Sequence, residues 1–102
     1  MINLTVRHAV ASDLSELARL AALDSASPPR GPALVAEADS HMLAALPLGS
    51  GRPIADPFEP TGEIVALLEL RKAQLRAEAG ERRSLRDRVR TLLRPRPSQA
   101  RA

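Results

Sequence analysis

The sequence is poor in the residues that carry several kinds of binding chemistry. It contains no Cys, Trp or Tyr, and Phe58 is its single aromatic residue. The absence of cysteine excludes disulfides, thiolate metal sites and cysteine nucleophiles. One ring is too few for the stacking platforms that bind single-stranded nucleic acid. No apolar run approaches the roughly 20 residues that span a bilayer. Since no charged-then-apolar leader opens the chain either, we expect a soluble, cytoplasmic protein.

The apolar residues that are present are mostly small. The chain has 102 residues, which favours one small domain and excludes a multidomain enzyme. Its hydrophobic fraction is 44%, but alanine and leucine supply most of it. We therefore expect a thin core built mainly from leucine.

Charge is divided unevenly along the chain. Residues 1–70 contain 4 basic and 9 acidic side chains, whereas the residues from Arg71 onward contain 11 basic and 3 acidic ones. An acidic body with a basic tail favours attraction to nucleic acid or to an anionic membrane surface. A solvated helix face gives the same pattern, so the charge alone leaves both interpretations open.

The first part of the chain has the hydrophobic pattern of a strand followed by a helix. Apolar and polar residues alternate over residues 2–8, the period of a half-buried strand. Asp13 followed by Glu16 is an N-terminal capping signature, and Ser12 is an equally good cap. Helical spacing of apolar residues then continues to about Leu23.

Three further strands are predicted after a proline-rich loop over residues 25–32. Strands over residues 33–38 and 42–48 are joined by a tight turn at Asp39-Ser40, because Asp and Ser side chains bond back to their own backbone. A third segment, over residues 52–55, contains Pro53, which lacks a donor for the sheet and therefore places the strand at an edge.

The last third of the sequence is helical in pattern. Apolar residues on one face predict a helix from about Thr61 to Ala79, which Gly80 either ends or continues. A basic amphipathic helix over residues 81–94 follows, and prolines then end any helix. The expected fold is an α/β protein of the α+β type, with the order β-α-β-β-β-α and a basic C-terminal helix.

Two stretches carry a family resemblance. Val6-Arg7-His8-Ala9 is followed by Asp13 and helical leucines, and the segment from Leu34 to Ala45 has an apolar strand, an alanine-glutamate pair, a polar turn and a second apolar strand. Together they resemble the opening strand and helix and the central hairpin of the GNAT-superfamily N-acetyltransferases. The resemblance covers roughly residues 2–75.

The resemblance implies that the helix after Thr61 is similar to the one that receives the pyrophosphate of acetyl-CoA. That chemistry needs glycines and free backbone N–H groups at a helix N-terminus. The expected signature is Arg or Gln, two residues, Gly, any residue, then Gly or Ala. Here Glu59, Pro60 and Glu63 surround the single matching Gly62, so negative charge stands where a diphosphate would lie.

Residues beyond Ala79 lack the later strands of that superfamily, and the tyrosine that often protonates the departing thiolate is absent. We therefore expect residues 1–80 to form an acetyltransferase-like half domain, followed over residues 81–102 by a basic amphipathic helix and disordered tail. The expected function is a non-catalytic accessory or interaction module that self-associates or binds another protein, with no catalytic, cofactor-binding or metal-binding residue assigned.

Two alternatives stay open. One is an acyl-CoA-dependent N-acetyltransferase whose site is completed by a dimer partner, the only case in which acetyl-CoA is a cofactor. The other is nucleic-acid or anionic-surface binding through a candidate anion-contact surface in the basic helix. That surface consists of Arg82, Arg83, Arg86 and Arg90.

The remaining titratable residues favour no catalytic site. His8 and His41 have no carboxylate partner at metal-ligand spacing and are expected to be ordinary surface residues. Glu37 and Asp39 are two residues apart, which on a strand places both carboxylates on one face. Two carboxylates on one face can in principle carry out general acid–base catalysis. A structural role is the simpler interpretation of these two carboxylates.

Overall fold

The computed structural model describes residues 3–93, which form a mixed α+β protein with a four-stranded antiparallel sheet and two α-helices. In chain order the elements are β1 (Leu4–His8), a 3-10 turn (Ala11–Asp13), α1 (Leu14–Leu23), β2 (Ala33–Ala38), β3 (His41–Pro47), β4 (Ile54–Ala55) and α2 (Gly62–Leu93). The predicted order of strands and helices is confirmed.

The sheet is a meander in which each strand pairs with the next along the chain, in the order β1-β2-β3-β4. β2 and β3 meet at the predicted turn, where Asp39 and Ser40 have φ angles of 52° and 65°. Asp tolerates this left-handed region because its short side chain bonds locally. β4 is only two residues long and lies at a sheet edge, as Pro53 predicted.

α1 supplies the first layer of the core. Leu17, Leu20 and Ala21 are its buried residues, and they cluster with Val35 of β2 and with residues of β3 and β4. Alternate residues of the central strands, such as Leu34 and Leu46, are also buried. Both faces of the β2–β3 pair are therefore covered, which explains why these strands are almost continuously apolar.

The start of α1 differs from the capping prediction. The side chain of Asp13 makes no cap bond to α1. Instead, the backbone N–H of Val10 donates to Asp13 Oδ2 at 2.7 Å, and the N–H of Asp13 donates to the carbonyl oxygen of Val10 at 2.9 Å. This reciprocal pair closes the 3-10 turn that precedes α1, so the carboxylate is used one turn earlier than predicted.

α2 is one continuous helix of 32 residues, and Gly80 is passed through. The separate helix predicted from residue 81 is therefore its continuation, while the predicted disordered tail over residues 94–102 lies outside the described residues. The chain divides into two compact units, residues 1–72 and residues 73–102, and the boundary falls inside α2.

Candidate functional site

The C-terminal part of α2 is the most exposed regular structure among the described residues. Every residue from Arg76 to Leu93 is exposed, and we call this stretch the exposed segment. Leu68 is the buried residue of α2, and Leu75 is half-buried. Of the apolar face that predicts this helix, Leu68 is therefore buried and Ile64 and Leu75 are half-buried, and no residue beyond Leu75 within the described part of the helix is buried.

The four predicted anion-contact residues lie together on the exposed segment. At about 100° per residue they fall within an arc of about 100°: Arg82, Arg83, Arg86 and Arg90. All four are exposed. Arg82 Nη2 lies 3.7 Å from Glu78 Oε2, and the two side chains are 71% and 49% exposed. An exposed pair of this kind holds its partners weakly, so the arginine face stays accessible.

An apolar stripe runs beside the arginine face. Leu85, Val89 and Leu92 project within about 60° of one another, and they are 59%, 45% and 83% exposed. Leucine and valine side chains that stay in contact with water lose about 25 cal/mol for each Å² left unburied. The stripe therefore has a favourable free energy to gain from a partner surface.

The N-terminus of α2 carries two acidic side chains and a proline at the place where the resemblance implies a diphosphate site. The loop before the helix uses its own groups: Phe58 N donates to Asp56 Oδ1 at 2.8 Å, and Asp56 is 6% exposed. Glu59 and Glu63 are exposed at the place where an anion would approach, and Pro60 offers no N–H. Like charge and a missing donor both oppose a phosphate here.

The Arg7 side chain of the resembling motif lies at the centre of an ion-pair cluster. It donates to both oxygens of Asp13, at 2.8 Å and 2.9 Å, and its Nε lies 3.0 Å from Glu37 Oε1. The Arg7 hydrogen bonds, with a further bond from the backbone N–H of Val10, lower the pKa of Asp13 to about 2. The same contacts raise the pKa of Arg7. This cluster joins β1, β2 and the start of α1.

Glu37 is therefore an ion-pair partner of Arg7, and it does not share a strand face with Asp39. β2 ends at Ala38, so Asp39 belongs to the turn. His8 and His41 are both exposed. Over residues 3–93, no group of three or more His, Asp or Glu residues could hold a metal ion, and no helix is long and apolar enough to cross a bilayer.

Sequence reasoning missed a second basic site. Arg30 and Arg52 line one cavity of about 410 Å³ between the α1–β2 loop and the β3–β4 loop. The available signal was local: each arginine sits among glycine and proline residues, in Pro29-Arg30-Gly31-Pro32 and Gly51-Arg52-Pro53, with no adjacent acid. An arginine placed in a turn without a carboxylate neighbour is free to meet an external anion.

Comparisons with protein-family models, with curated proteins and with solved structures gave no match to this chain.

Proposed function

We propose that the protein is a non-catalytic, acetyltransferase-like interaction module that associates with a second copy of itself through α2. The observation that carries the proposal is the exposed segment, which extends over more than four helical turns and presents the apolar stripe of Leu85, Val89 and Leu92 to solvent over about two of them. Most helices in proteins are stabilised by packing of their apolar face rather than by helix propensity alone. A partner surface would supply that packing.

The relationship to the GNAT-superfamily acetyltransferases is part of the proposal. It is supported by the Val6-Arg7-His8-Ala9 motif, by the apolar hairpin of β2 and β3, and by the order of strands and helices. The absence of catalysis is supported by the acidic residues at the start of α2 and by the lack of tyrosine. We assign no catalytic, cofactor-binding or metal-binding residue.

A second copy is the partner that the charges of α2 favour. Leu75, Glu78, Arg82 and Leu85 follow one another at spacings of three and four residues, so they line one seam of the helix. In an antiparallel pair with its two-fold axis at residue 80, Leu75 lies opposite Leu85 of the second copy. Glu78 then lies opposite Arg82 of the second copy, and the axis repeats both contacts.

The parallel alternative is opposed by the same residues. In a parallel pair in register, each position of the seam faces itself, so Glu78 would meet Glu78 and Arg82 would meet Arg82 of the second copy. Like charges facing each other in a helix seam are destabilising. The order leucine, glutamate, arginine, leucine is therefore self-complementary only when the two helices run in opposite directions.

Charge reversal across the seam tests the pairing by sedimentation equilibrium over a range of protein concentrations. Glu78→Arg and Arg82→Glu each place like charges opposite one another, and each should raise the dimer Kd at least about tenfold. The double variant with both changes restores opposite charges and should return the Kd close to that of the unaltered protein.

The matched control is Glu69→Arg, which makes the same charge change at an exposed position about 120° around α2 from Leu75 and about 140° from Arg82. It should leave the dimer Kd unchanged. A protein that stays monomeric at every concentration, or a double variant that associates no better than the single ones, would contradict the proposed seam.

A second candidate function is binding to nucleic acid or another polyanion. It is favoured by the arginine face of the exposed segment, which no acidic residue interrupts between Arg82 and Arg86. Binding of this kind should fall steeply between about 50 and about 200 mM salt. The paired change Arg83→Gln and Arg86→Gln should abolish DNA retention, whereas Arg30→Gln with Arg52→Gln should retain it. Equal retention by both pairs would reject this function.

The enzymatic alternative is an acyl-CoA site completed by the second copy. A ligand present at one hundred times its Kd adds about 2.7 kcal/mol to the free energy of unfolding. We expect no change in Tm with millimolar acetyl-CoA. A saturable increase in Tm would overturn the proposal that the protein is non-catalytic. It would not bear on the dimer seam, which the charge-reversal variants test separately.

A further inference from the structure

The two arginines of the loop cavity differ from the other arginines of their unit. Arg7 is paired with Asp13 and Glu37, and Arg19 Nη2 lies 3.0 Å from Glu16 Oε2. Over residues 3–93, neither Arg30 nor Arg52 has an ion-pair partner, and both are exposed. Two free guanidinium groups therefore face one cavity in a region whose sequence is otherwise acidic.

The walls of the cavity are suited to an anion. No Asp or Glu lines it among the described residues, whereas Gly49, Ser50 and Gly51 do. These three consecutive residues are exposed and have little or no side chain, so a ligand can approach their backbone closely. The carbonyl oxygen of Gly49 accepts a hydrogen bond of 2.9 Å from Lys72 Nζ, so this acceptor already has a partner within the protein.

The loop conformation also requires glycine. Gly51 has a φ of +130°, and a Cβ placed on it would lie 3.1 Å from Cγ of Pro47. A backbone that only glycine adopts easily is typical of loops that approach a ligand closely. The opposite loop is held by Pro29 and Pro32, whose rings restrict the backbone on both sides of Arg30. Both loops are therefore shaped before a ligand arrives.

We infer that Arg30 and Arg52 form a binding site for the phosphate group of a small organic phosphate monoester. The planar guanidinium fork matches the oxygens of a phosphate, and charge-assisted hydrogen bonds of this type are about twice as strong as neutral ones. A cavity of about 410 Å³ is larger than a phosphate group needs and falls within the range of small-molecule sites, about 300–1,000 Å³. Three prolines in its lining give the organic part an apolar surface.

The site is tested by titrating the full chain with inorganic phosphate or with phenyl phosphate at constant ionic strength. The titration is monitored by two-dimensional amide NMR. Each probe should cause saturable shifts confined to residues 27–32 and 47–52, and phenyl phosphate should bind at least as tightly as inorganic phosphate. Arg30→Gln and Arg52→Gln should each weaken binding about tenfold, the effect of losing one charge-assisted hydrogen bond.

The control is the pair Arg83→Gln and Arg86→Gln on α2, which removes two positive charges elsewhere, one more than either test variant, and should still leave the affinity unchanged. Shifts that appear equally with chloride, or that spread over α2 and disappear in the control pair, would overturn the site. Tighter binding of inorganic phosphate than of phenyl phosphate would overturn the assignment to an ester. Because Arg30 and Arg52 are exposed, their substitution should leave the thermal unfolding curve unchanged, so a loss of binding reports on the site.

Discussion

In the unit formed by residues 1–72, leucine and alanine side chains are buried on both faces of a sheet, whereas every residue from Arg76 to Leu93 is exposed. The charges differ as well: residues 1–72 carry 6 basic and 9 acidic side chains, and residues 73–102 carry 9 basic and 3 acidic ones. The first region stabilises itself by burial. The second region leaves its leucine, valine and arginine side chains exposed, as expected for a surface that binds a partner.

The difference predicts that the same substitution has unequal effects in the two regions. In residues 1–72, truncating a buried leucine removes its contacts with neighbouring side chains and leaves a cavity, which lowers the free energy of unfolding. On the exposed segment the same leucines have little to lose in the monomer, and their effect should appear only when a partner is bound. Matched pairs of substitutions, one in each region, measure this contrast directly.

The largest contrast is expected between Leu20→Ala and Leu85→Ala. Leu20 is 0% exposed within the core cluster, and its truncation leaves a cavity that should lower the free energy of unfolding by about 2–5 kcal/mol. Leu85 is 59% exposed, so its truncation should change the free energy of unfolding of the monomer by less than about 0.5 kcal/mol. Urea denaturation at a dilution that keeps the protein monomeric measures both values.

A loss of similar size in the two variants would mean that Leu85 is buried in the monomer, and the exposed segment would then not be a free surface. At higher protein concentration Leu85→Ala should weaken association, because Leu85 lies in the proposed seam. That second readout separates a packing role within one chain from a role between two copies.

The sequence predicted this architecture well where local chemistry and hydrophobic period agreed. The turn at Asp39-Ser40 and the alternating apolar residues around it fixed β2 within the observed bounds and β3 to within a residue at each end. The continuity of α2 was left open because Gly80 both lowers helix propensity and often ends helices. Exposed residues on both sides of Gly80 offer no packing signal, so only the structure decided the point.

The ion-pair cluster gives a contrast of intermediate size. Asp13 is 7% exposed and accepts hydrogen bonds from Arg7 and from the N–H of Val10. Asp13→Asn should therefore lower the free energy of unfolding at pH 7 by about 1.5–3 kcal/mol, the range for hydrogen bonds to charged groups. Glu59→Gln is the control: Glu59 is exposed, and its change should stay within about 0.5 kcal/mol.

The effect of Asp13 should depend on pH in one direction. Its pKa in the folded protein is about 2, below the ordinary value of 3.8, so the ionised form is favoured by folding. The stabilisation is therefore complete above pH 4 and is lost as the pH falls towards 2. Urea midpoints of the unaltered protein and of Asp13→Asn should converge over this interval. A constant difference from pH 7 to pH 2 would contradict the depressed pKa.

The two candidate surfaces could be predicted from the sequence to different degrees. A run of arginines at helical spacing placed Arg82, Arg83, Arg86 and Arg90 on one face, since helix geometry alone sets that arrangement. Arg30 and Arg52 are 22 residues apart in sequence, and they share a cavity only because β2 and β3 bring their flanking loops to one end of the sheet. Non-local contacts of this kind require the fold first. The capping role of Asp13 was predicted wrongly because Arg7 competes for the same carboxylate.

The smallest contrast compares the same substitution, glycine to alanine, at Gly51 and at Gly80. The two changes in the free energy of unfolding should have opposite signs. Gly51→Ala forces a side chain onto a φ of +130° and a 3.1 Å contact with Pro47, so it should lower the free energy of unfolding by about 1 kcal/mol or more. Nothing lies within 4 Å of a Cβ at Gly80, and alanine is favoured there by about 0.5–1 kcal/mol within a helix.

Hydrogen exchange in the monomer should therefore show about two- to fivefold slower exchange of amides around residue 80 in Gly80→Ala. Urea denaturation should show the loss in Gly51→Ala, which should also bind phosphate more weakly because its loop is displaced. Faster exchange in Gly80→Ala would mean that α2 is interrupted at residue 80. The proposed dimer seam would then be contradicted, since it needs Leu75 and Leu85 on one continuous helix. The proposed phosphate site would be unaffected, because it lies wholly within residues 27–52.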